Sequence, residues 1–379
     1  MAAADALGNR LAWLTLVRAP GGAGPLRRLL DACGSAEAAL AAGPAGWRAA
    51  GLSDPTIEAL RRPDPALGEV DRAWLAARHH HLIGWDSPDY PALLRRMPSP
   101  PACLFVVGDA NALWRPQVAV VGSRAPSAGG CDNARDFAAA FARAGFAVTS
   151  GLASGIDAAA HLGALDAGGE TVAVVATGPD LVYPPAHRDL ATRIARHGAV
   201  VSEFPPGTQA RREHFPSRNR IIAGLALGTL VVEAAQRSGA LITARHAGDA
   251  GREVFAIPGS IHNPLARGCH RLIRQGAALV ESAEEAIAAL GPVAAELADA
   301  LRARLREGAA VTTAAEPRAA APDDPAQRQL LAALGHDPVA LDQLAERTGL
   351  TVAALSSMLL LMEMEGLVRA EHGRYARRA

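Results

Sequence analysis

The sequence predicts an α/β protein with a parallel central sheet, a small helical domain before it and a winged-helix domain after it. Between residues 118 and 290, short apolar runs alternate with helical segments, which is typical of strands buried on both faces of a parallel sheet. Residues 11–75 are Ala- and Leu-rich with a helical period, and residues 326–379 read as three helices followed by a hairpin. These three observations fix the expected order of the domains.

Composition limits the function classes. The chain has 379 residues, half of them hydrophobic, so two or three domains with real cores are expected. The formal net charge is zero, so affinity for a polyanion must come from a local patch. All 38 basic residues counted as Lys or Arg are arginines. Without lysine the chain has no Walker A loop, Schiff base or pyridoxal anchor, and we expect no cofactor.

The cysteines and the apolar runs indicate the compartment. The four cysteines are far apart and lack CxxC or His-paired metal spacing, so we expect free thiols, no disulfide and no zinc. No apolar run approaches membrane-spanning length, and the N-terminus lacks a signal-peptide pattern. The expectation is a cytoplasmic protein without membrane contact.

The first predicted domain covers residues 1–78. Its helical pattern is broken by PGGAGP at 20–25 and by GPAG at 43–46, which predicts short helices joined by tight turns. Backbone amides of the PGGAGP turn could touch a DNA phosphate, but an ordinary interhelical turn is the favoured interpretation.

The second predicted domain covers residues 79–291 and holds the sheet. Its strand candidates are VAVVGSR, AVTSG, TVAVVAT, AVVSEF, GTLVVEA, EVFAIPG and ALVES, with CLFVVGD from Cys103 expected at an edge. In such sheets ligands bind at the carboxyl ends of the strands, so the loops there are the candidate site.

Two of these loops are rich in small residues and backbone donors. The residues singled out are Gly122, Ser123 and Arg124 after the first strand, and Ser150, Gly151 and Gly155 after the second. Small residues let the backbone approach an anion, and Arg124 would neutralise it. The loops lack GxGxxG and the acidic residue that would hold a ribose, so a dinucleotide is not expected.

The segment FPSRNR at 215–220 is the strongest candidate anion site. It follows Arg211 and Arg212, and its own polar residues are Arg218, Asn219 and Arg220. Four guanidiniums within ten residues, just before a predicted helix and strand, indicate a rigid anion site, and the phosphate backbone of a nucleic acid is the expected anion.

A third loop follows GTLVVEA. Ser238 and Gly239 open another helix, and Thr243 lies one turn further on. Glu233 has catalytic potential at its strand end, although bonding to loop amides or pairing with an arginine is the simpler interpretation. Asp157 and His161, four residues apart, could act as acid and base, but a contact along the helix is favoured.

The C-terminal part begins with a helix end and linker over 292–325, Ala/Pro-rich from about residue 308. The winged helix is expected over 326–379. Its recognition helix, TVAALSSMLLLMEMEG, has no basic residue and carries Glu363 and Glu365, which disfavours reading of a major groove. A docking or accessory role is therefore favoured.

Several motifs occur together in one order and resemble the DNA-processing protein A family, also called Smf. They are VAVVGSR, TSGLASGIDAAAH, YPPAH, SEFPPG, FPSRNRIIAGLALGTLVVEA, SGALITARHAGDAGREVFAIPG and LIRQGA. The resemblance spans nearly the whole chain. It implies an extended Rossmann-like domain that binds single-stranded DNA, preceded by a SAM-like or helix-hairpin-helix-like domain. It also implies a homodimer that loads the RecA recombinase during natural transformation, with no known catalytic reaction.

The resemblance assigns residues one at a time. Gly122, Ser123 and Arg124 match the family's GSR loop, while Ser150, Gly151 and Gly155 match its SGLAxGID turn, and Arg218 to Arg220 match its RNR motif. The chain departs from the pattern at Ser154 and Pro185, where the family often has basic residues. We hypothesise that Arg188 compensates for the second.

The function expected from the sequence is therefore binding of single-stranded DNA through phosphates and loading of RecA, without catalysis. The alternative is a Rossmann-like hydrolase of nucleoside monophosphates with Glu233 as acid or base, although the PGGxGTxxE signature of related hydrolases is absent. A transcription regulator acting through the winged helix is a third possibility.

Overall fold

A computed structural model describes residues 2–297, 329–330, 332–334, 339–351, 355, 358–359, 362, 368–371 and 374–377. The chain divides into two compact units, Met1–Leu301 and Arg302–Ala379. The linker expected over 308–325 lies outside the described residues, as does most of the expected recognition helix. No helix within the described ranges is long and apolar enough to span a membrane.

The first unit begins with six helices. They are α1 (Ala2–Arg18), α2 (Ala23–Cys33), α3 (Ala36–Ala41), α4 (Gly43–Ala49), α5 (Asp54–Arg61) and α6 (Pro65–Leu75). Residues 20–22 of the PGGAGP segment lie in the turn between α1 and α2, as predicted, and residues 23–25 form the first turn of α2. The GPAG segment instead begins α4, because Pro44 is tolerated in the first turn of a helix, where its missing N–H costs nothing.

The sheet of the first unit has nine strands. They are β1 (His80–Gly84), β2 (Cys103–Gly108), β3 (Gln117–Val121), β4 (Ala147–Ser150), β5 (Thr171–Val174), β6 (Gly198–Ser202), β7 (Gly228–Val231), β8 (Glu253–Ala256) and β9 (Ala278–Leu279). Their order is β1-β2-β6-β5-β4-β3-β7-β8-β9. Only the β1–β2 and β2–β6 pairs are antiparallel, so the predicted parallel sheet is confirmed.

One edge of the sheet differs from the expectation. CLFVVGD does join the sheet beyond β6, but β1 lies outside it and forms the edge. The sequence of β1, HHLIG, is short and half polar, so it carries none of the continuous apolar character by which the other strands were recognised.

Helices cover both faces of the sheet. They are α7 (Ala92–Arg95), α8 (Ala128–Arg143), α9 (Ile156–Asp166), α10 (Arg188–Arg196), α11 (His214–Leu225), α12 (Ala240–Asp249) and α13 (Arg267–Arg274), with a further helix over 283–297. Alternate residues of the central strands enter two different cores: Val172 and Val174 pack with α11 and α12, while Ala173 packs with α10. Burial on both faces explains the uninterrupted apolar runs.

The helical region packs directly on the sheet. Trp13 of α1 is 1% exposed, lies in one apolar cluster with Phe105 of β2, and donates a hydrogen bond of 2.8 Å to Asp86. Arg18 binds the fully buried Asp71 and the Pro206 carbonyl oxygen of the loop after β6. The N-terminal helices therefore hold a loop that leads toward α11.

The second unit contains a three-stranded sheet, ordered β10 (Val339–Ala340), β12 (Arg374–Arg377) and β11 (Val368–Glu371), and a helix over Leu341–Thr348. The predicted hairpin is confirmed by antiparallel pairing of β11 with β12. β10 was not predicted, because two residues carry no strand period. Helix followed by hairpin agrees with the winged-helix prediction.

Candidate functional site

The carboxyl ends of β3, β4, β5 and β7 meet at one edge of the sheet. The loops there and the first turns of α9, α11 and α12 enclose a cleft of about 720 Å³. The predicted site residues that line it are Gly122, Ser123, Arg124, Arg212, Arg218, Asn219, Ser238, Gly239 and Thr243. The predicted residues outside its lining are Ser150, Gly151, Gly155, Arg188, Arg211, Arg220 and Glu233.

The loop between β3 and α8 donates hydrogen bonds to Glu233, a carboxylate from the end of β7. Ser127 caps α8 by accepting a hydrogen bond from Gly130 N–H. The Ser127 amide and hydroxyl both donate to Glu233, at 2.9 and 2.6 Å, and Asn263 donates at 3.4 Å. Glu233 is 8% exposed and completes the cap of this helix. This agrees with the loop-amide interpretation of Glu233.

The turn between β4 and α9 holds a second internal carboxylate. Asp157 accepts from the amides of Gly151 and Ala153, at 3.2 and 3.3 Å. Burial raises the pKa of Asp157, while Arg218 and these amides act against that rise. Gly155 adopts a φ of +81° beside the Ser123 carbonyl, a conformation that favours glycine.

The expected contact between Asp157 and His161 does not form. The Nδ1 of the buried His161 instead lies 2.7 Å from Thr171 Oγ1, whose own hydroxyl donates to Val148 O. His161 therefore donates through Nδ1, and burial lowers its pKa to about 3. The prediction of an intrahelical contact is wrong because each side chain has a partner on another segment.

Arg218, the first arginine of RNR, is a buried strut between two strand ends. It is 3% exposed, and its Nη1 donates to Gly151 O at 2.6 Å and to Val174 O. A side chain at Gly151 would place its Cβ 2.6 Å from this guanidinium, which explains the glycine there. Burial lowers the pKa of Arg218 to about 10, and Asp157 opposes that change, so the guanidinium stays charged.

Arg220, the second arginine of RNR, does not line the cleft. Its Nη1 and Nη2 bind the two carboxylate oxygens of Glu203 at 2.8 and 2.6 Å, and its Nε donates to Ser99 O at 2.9 Å. Both side chains of the pair are mostly buried, at 13% and 14% exposure. The structure gives both arginines of RNR internal partners, and their direct contact with an anion stays a prediction.

Three other arginines of the cleft lack such partners. Arg124, Arg212 and Arg237 line the cleft and are exposed. Among the described residues, none of the three makes a hydrogen bond or an ion pair with the protein. Their positive charge is therefore available to a ligand, and we call them the open arginines.

Two aromatic rings form one wall of the cleft. The Phe215 and Tyr183 rings meet edge to face, with centroids 5.6 Å apart. The Arg124 guanidinium carbon lies 5.1 Å from the centroid of the Phe215 ring. Tyr183 is 49% exposed, so its ring surface remains accessible.

The opposite wall is the turn before α12. Asn219 of α11 accepts from Arg218 Nε at 3.2 Å and donates to Gly239 O at 3.2 Å. It thereby connects the buried strut to this turn. The Thr243 side chain is 1% exposed and lies one helical turn below Gly239.

Sequence reasoning missed three residues of this cleft. Arg237 stands alone in AAQRSGA, and only its position just before a helix start on the strand-end edge would have indicated a role. Tyr183 and Phe215 were read as parts of motifs rather than as rings, and they come from segments 32 residues apart that no local pattern relates.

The cleft combines free guanidiniums with an exposed aromatic surface. It suits an anion that carries flat rings, because the cations neutralise charge and the rings offer a stacking face. Within the described part of the chain, no group of three or more His, Cys, Asp and Glu residues is arranged to hold a metal ion.

Family models match three parts of the chain. Residues 81–291 match DNA recombination-mediator protein A, residues 8–62 match a DprA-like N-terminal HHH domain, and residues 314–374 match a DprA winged helix domain. The first of these matches alone covers more than half of the chain.

Individual proteins give the same result. Protein Smf of Escherichia coli K12 is 42% identical over 310 residues, 82% of this chain and 80% of that protein. The DNA processing protein DprA of Streptococcus pneumoniae R6 is 47% identical over 222 residues, 58% of this chain and 78% of that protein.

Solved structures agree. The X-ray structure of Streptococcus pneumoniae DprA is similar at a TM-score of 0.63 and 35% identity, covering 74% of this chain and 95% of that one. A Helicobacter pylori DprA structure, described for its single-stranded DNA binding mode, has a TM-score of 0.51 and 25% identity, covering 56% of this chain and 96% of that one. The chain belongs to the DNA-processing protein A family.

Proposed function

We propose that this chain binds single-stranded DNA in the strand-end cleft, with the open arginines contacting successive phosphates. The observation that carries the proposal is the convergence of Arg124, Arg212 and Arg237 on one cleft, where none of them makes a hydrogen bond or an ion pair with the described residues. A phosphate backbone is the polyanion that repeats its charge along such a row, and phosphate contacts carry no sequence information.

The aromatic wall supports unpaired rather than duplex DNA. The half-exposed Tyr183 ring next to Phe215 offers a stacking face, and a base can use it only when it is free of its own stack. The relative from Helicobacter pylori is described as binding single-stranded DNA, which agrees with this chemistry.

The hydrolase alternative has less support. Glu233, its expected acid or base, accepts two hydrogen bonds from Ser127 and caps α8. Asp157 is likewise committed to loop amides. Both carboxylates therefore have a structural use. Release of free base from nucleoside monophosphates by the purified chain would support the hydrolase alternative.

The finer role rests on the family. We propose that the chain acts as a cytoplasmic homodimer and loads RecA onto incoming single strands in natural transformation. Two clefts on one assembly would raise the affinity for a long strand without new contacts. Light scattering should give twice the chain mass, and the protein should shorten the lag of RecA filament growth on DNA coated with single-strand-binding protein.

The DNA test compares arginines at opposite ends of the fold. Arg124→Ala combined with Arg237→Ala should weaken binding of a labelled oligothymidine about a hundredfold in fluorescence anisotropy, since each lost phosphate contact costs about tenfold. Arg196→Ala is the matched control, because Arg196 is an exposed arginine at the end of α10, at the opposite edge of the sheet.

Salt dependence gives an independent readout. Three phosphate contacts predict a slope of about −2 for the logarithm of the binding constant against the logarithm of salt concentration, and the double variant should reduce it to about −0.7. Equal affinity in the double variant and the Arg196 control would refute the cleft as the DNA site.

A further inference from the structure

The loop that carries Tyr183 is attached to the rest of the first unit on both sides of that ring. It joins β5 to α10. Before the ring, the Gly207 amide donates to the two carboxylate oxygens of Asp180, at 2.8 and 3.0 Å. After the ring, His187 Nδ1 lies 2.9 Å from Leu152 O. Since a carbonyl oxygen only accepts, Nδ1 carries the proton and donates.

Leu152, the acceptor of this bond, is in a strained conformation. Its φ of +59° lies in the left-handed region, and its side chain is fully buried. This conformation costs free energy for a residue with a β-carbon, so it persists only where the surroundings hold it. Two contacts hold this turn: Asp157 accepts from the amides on either side of Leu152, and Arg218 donates to Gly151 O at 2.6 Å. The carbonyl oxygen that His187 binds is therefore a fixed point of the framework that supports the cleft.

The Tyr183 ring itself is held by few contacts. Within the described part of the chain, its hydroxyl makes no hydrogen bond, and the one ring that it meets is Phe215, edge to face. Val182, the residue before it, packs with Leu152 in the small apolar cluster under α10. The direction of the exposed ring therefore depends on how the loop is held, and the His187 bond is the attachment four residues after it.

We propose that His187 is a positioning residue, which sets the Tyr183 ring as the stacking surface for one unpaired base. The inference rests on the proposed function of the cleft. His187 does not line the cleft, so it acts through the loop and not by touching DNA. The open arginines come from three other segments, before α8, α11 and α12, and their phosphate contacts do not depend on this bond. Loss of the imidazole should therefore remove base stacking and leave phosphate binding in place.

The test separates bases from phosphates with two ligands of equal length. One is a labelled oligothymidine of about six nucleotides, and the other is the same chain of deoxyribose phosphates without bases. The wild-type protein should bind the oligothymidine about tenfold more tightly in fluorescence anisotropy, because one stacked base contributes about that factor. His187→Ala should reduce this ratio to about twofold, while the affinity for the abasic strand and its salt slope stay at the wild-type values.

Three further variants test the mechanism. His187→Asn places an amide nitrogen where Nδ1 stood, so it should donate to Leu152 O and restore the wild-type ratio. His197→Ala is the matched control, because His197 is an exposed histidine at the other end of α10 that does not line the cleft. Tyr183→Ala should lose the ratio by itself, and adding His187→Ala should lower it no further, since both changes remove the same stacked ring.

The contrary outcomes separate the explanations. An unchanged ratio in His187→Ala, with a reduced ratio in Tyr183→Ala, overturns the positioning role and leaves stacking intact. Loss of affinity for both ligands in His187→Ala, with a smaller salt slope, also overturns it, because the histidine then supports the whole cleft. Failure of His187→Asn to restore the ratio overturns the bond to Leu152 as the cause. An unchanged ratio in Tyr183→Ala instead overturns the aromatic wall of the proposed function, whatever the His187 variants do.

Discussion

The two arginines of the RNR motif and the open arginines of the cleft differ in what they do for the fold. Arg218 and Arg220 of the RNR motif bind carbonyl oxygens and a carboxylate of the protein, whereas Arg124 and Arg237 bind none that the described residues offer. Arg218 fixes the ends of β4 and β5, and Arg220 fixes the loop after β6. Arg212 is an open arginine although it belongs to the same sequence cluster as Arg218 and Arg220. Burial at the strand ends, rather than clustering in sequence, therefore separates the two groups of arginines.

The largest effect should follow from loss of the buried strut. Arg218→Ala removes the charge that acts on Asp157 and the donor to the carbonyl oxygens of Gly151 and Val174, and each buried group left unsatisfied costs about 1 to 3 kcal/mol. Urea unfolding should report this loss in the free energy of unfolding. Arg218→Lys should recover part of it, because an ammonium keeps the charge but not the forked geometry.

This prediction can break the comparison. If Arg218→Ala keeps the wild-type unfolding free energy and loses only DNA binding, the guanidinium contacts DNA directly, and the distinction between internal and open arginines fails.

The next effect is the pH dependence of the free energy of unfolding that comes from His161, which is buried near Arg218. His161 has a pKa of about 3 when folded and an ordinary value of 6.5. The unfolded chain therefore takes up a proton below pH 6.5 that the folded chain refuses, so stability falls as pH drops, by about 1.4 kcal/mol per unit from this group. The loss continues until the pH reaches the folded pKa.

Comparison with a variant isolates this term from the other groups that titrate in acid. His161→Asn can still donate to Thr171 but does not titrate, so its unfolding free energy should decline less steeply between pH 6 and pH 4. Asp157 works in the opposite direction, because its raised pKa favours the folded state in acid. Equal slopes in both proteins would show that His161 is protonated inside the fold.

Arg220 should give a smaller effect on stability. Arg220→Ala leaves Glu203 unpaired at 14% exposure, and we expect a loss of about 2 kcal/mol. Glu203→Ala combined with Arg220→Ala should be less destabilised than the sum of the single variants, since the orphaned charge is gone. DNA affinity should stay within about twofold in all three, because Arg220 does not line the cleft. If the Arg220→Ala variant remained stable but lost much of its DNA affinity, Arg220 would be a direct DNA contact and the RNR motif would bind DNA as well as support the fold.

The sequence predicted the sheet well because its evidence was local. Each strand from β3 to β8 is an apolar run that ends in small residues, and burial on two faces demands that pattern wherever the run occurs. β1 escaped because it pairs along one edge only and contains two histidines.

The site was harder to predict because its contacts are between distant segments. Nothing local distinguishes Arg218 from Arg237: which arginine is buried depends on Gly151 and Val174, which lie 67 and 44 residues away from Arg218 in the chain. Glu233 finds Ser127 across 106 residues. Sequence patterns correctly placed these residues at the carboxyl ends of the strands, but packing decided which side chains face solvent.

The smallest effect tests whether Arg188 should be counted with the open arginines. Arg188 was the candidate to replace a basic residue missing after Tyr183, but it begins α10, is exposed and does not line the cleft. A strand leaving the cleft past Tyr183 would pass near it without being held, so Arg188→Ala should weaken oligothymidine binding only about twofold in anisotropy at low salt. A tenfold loss would instead extend the phosphate track beyond the aromatic wall. In that case accessibility along the strand-end edge, rather than membership of the cleft, would define the open arginines.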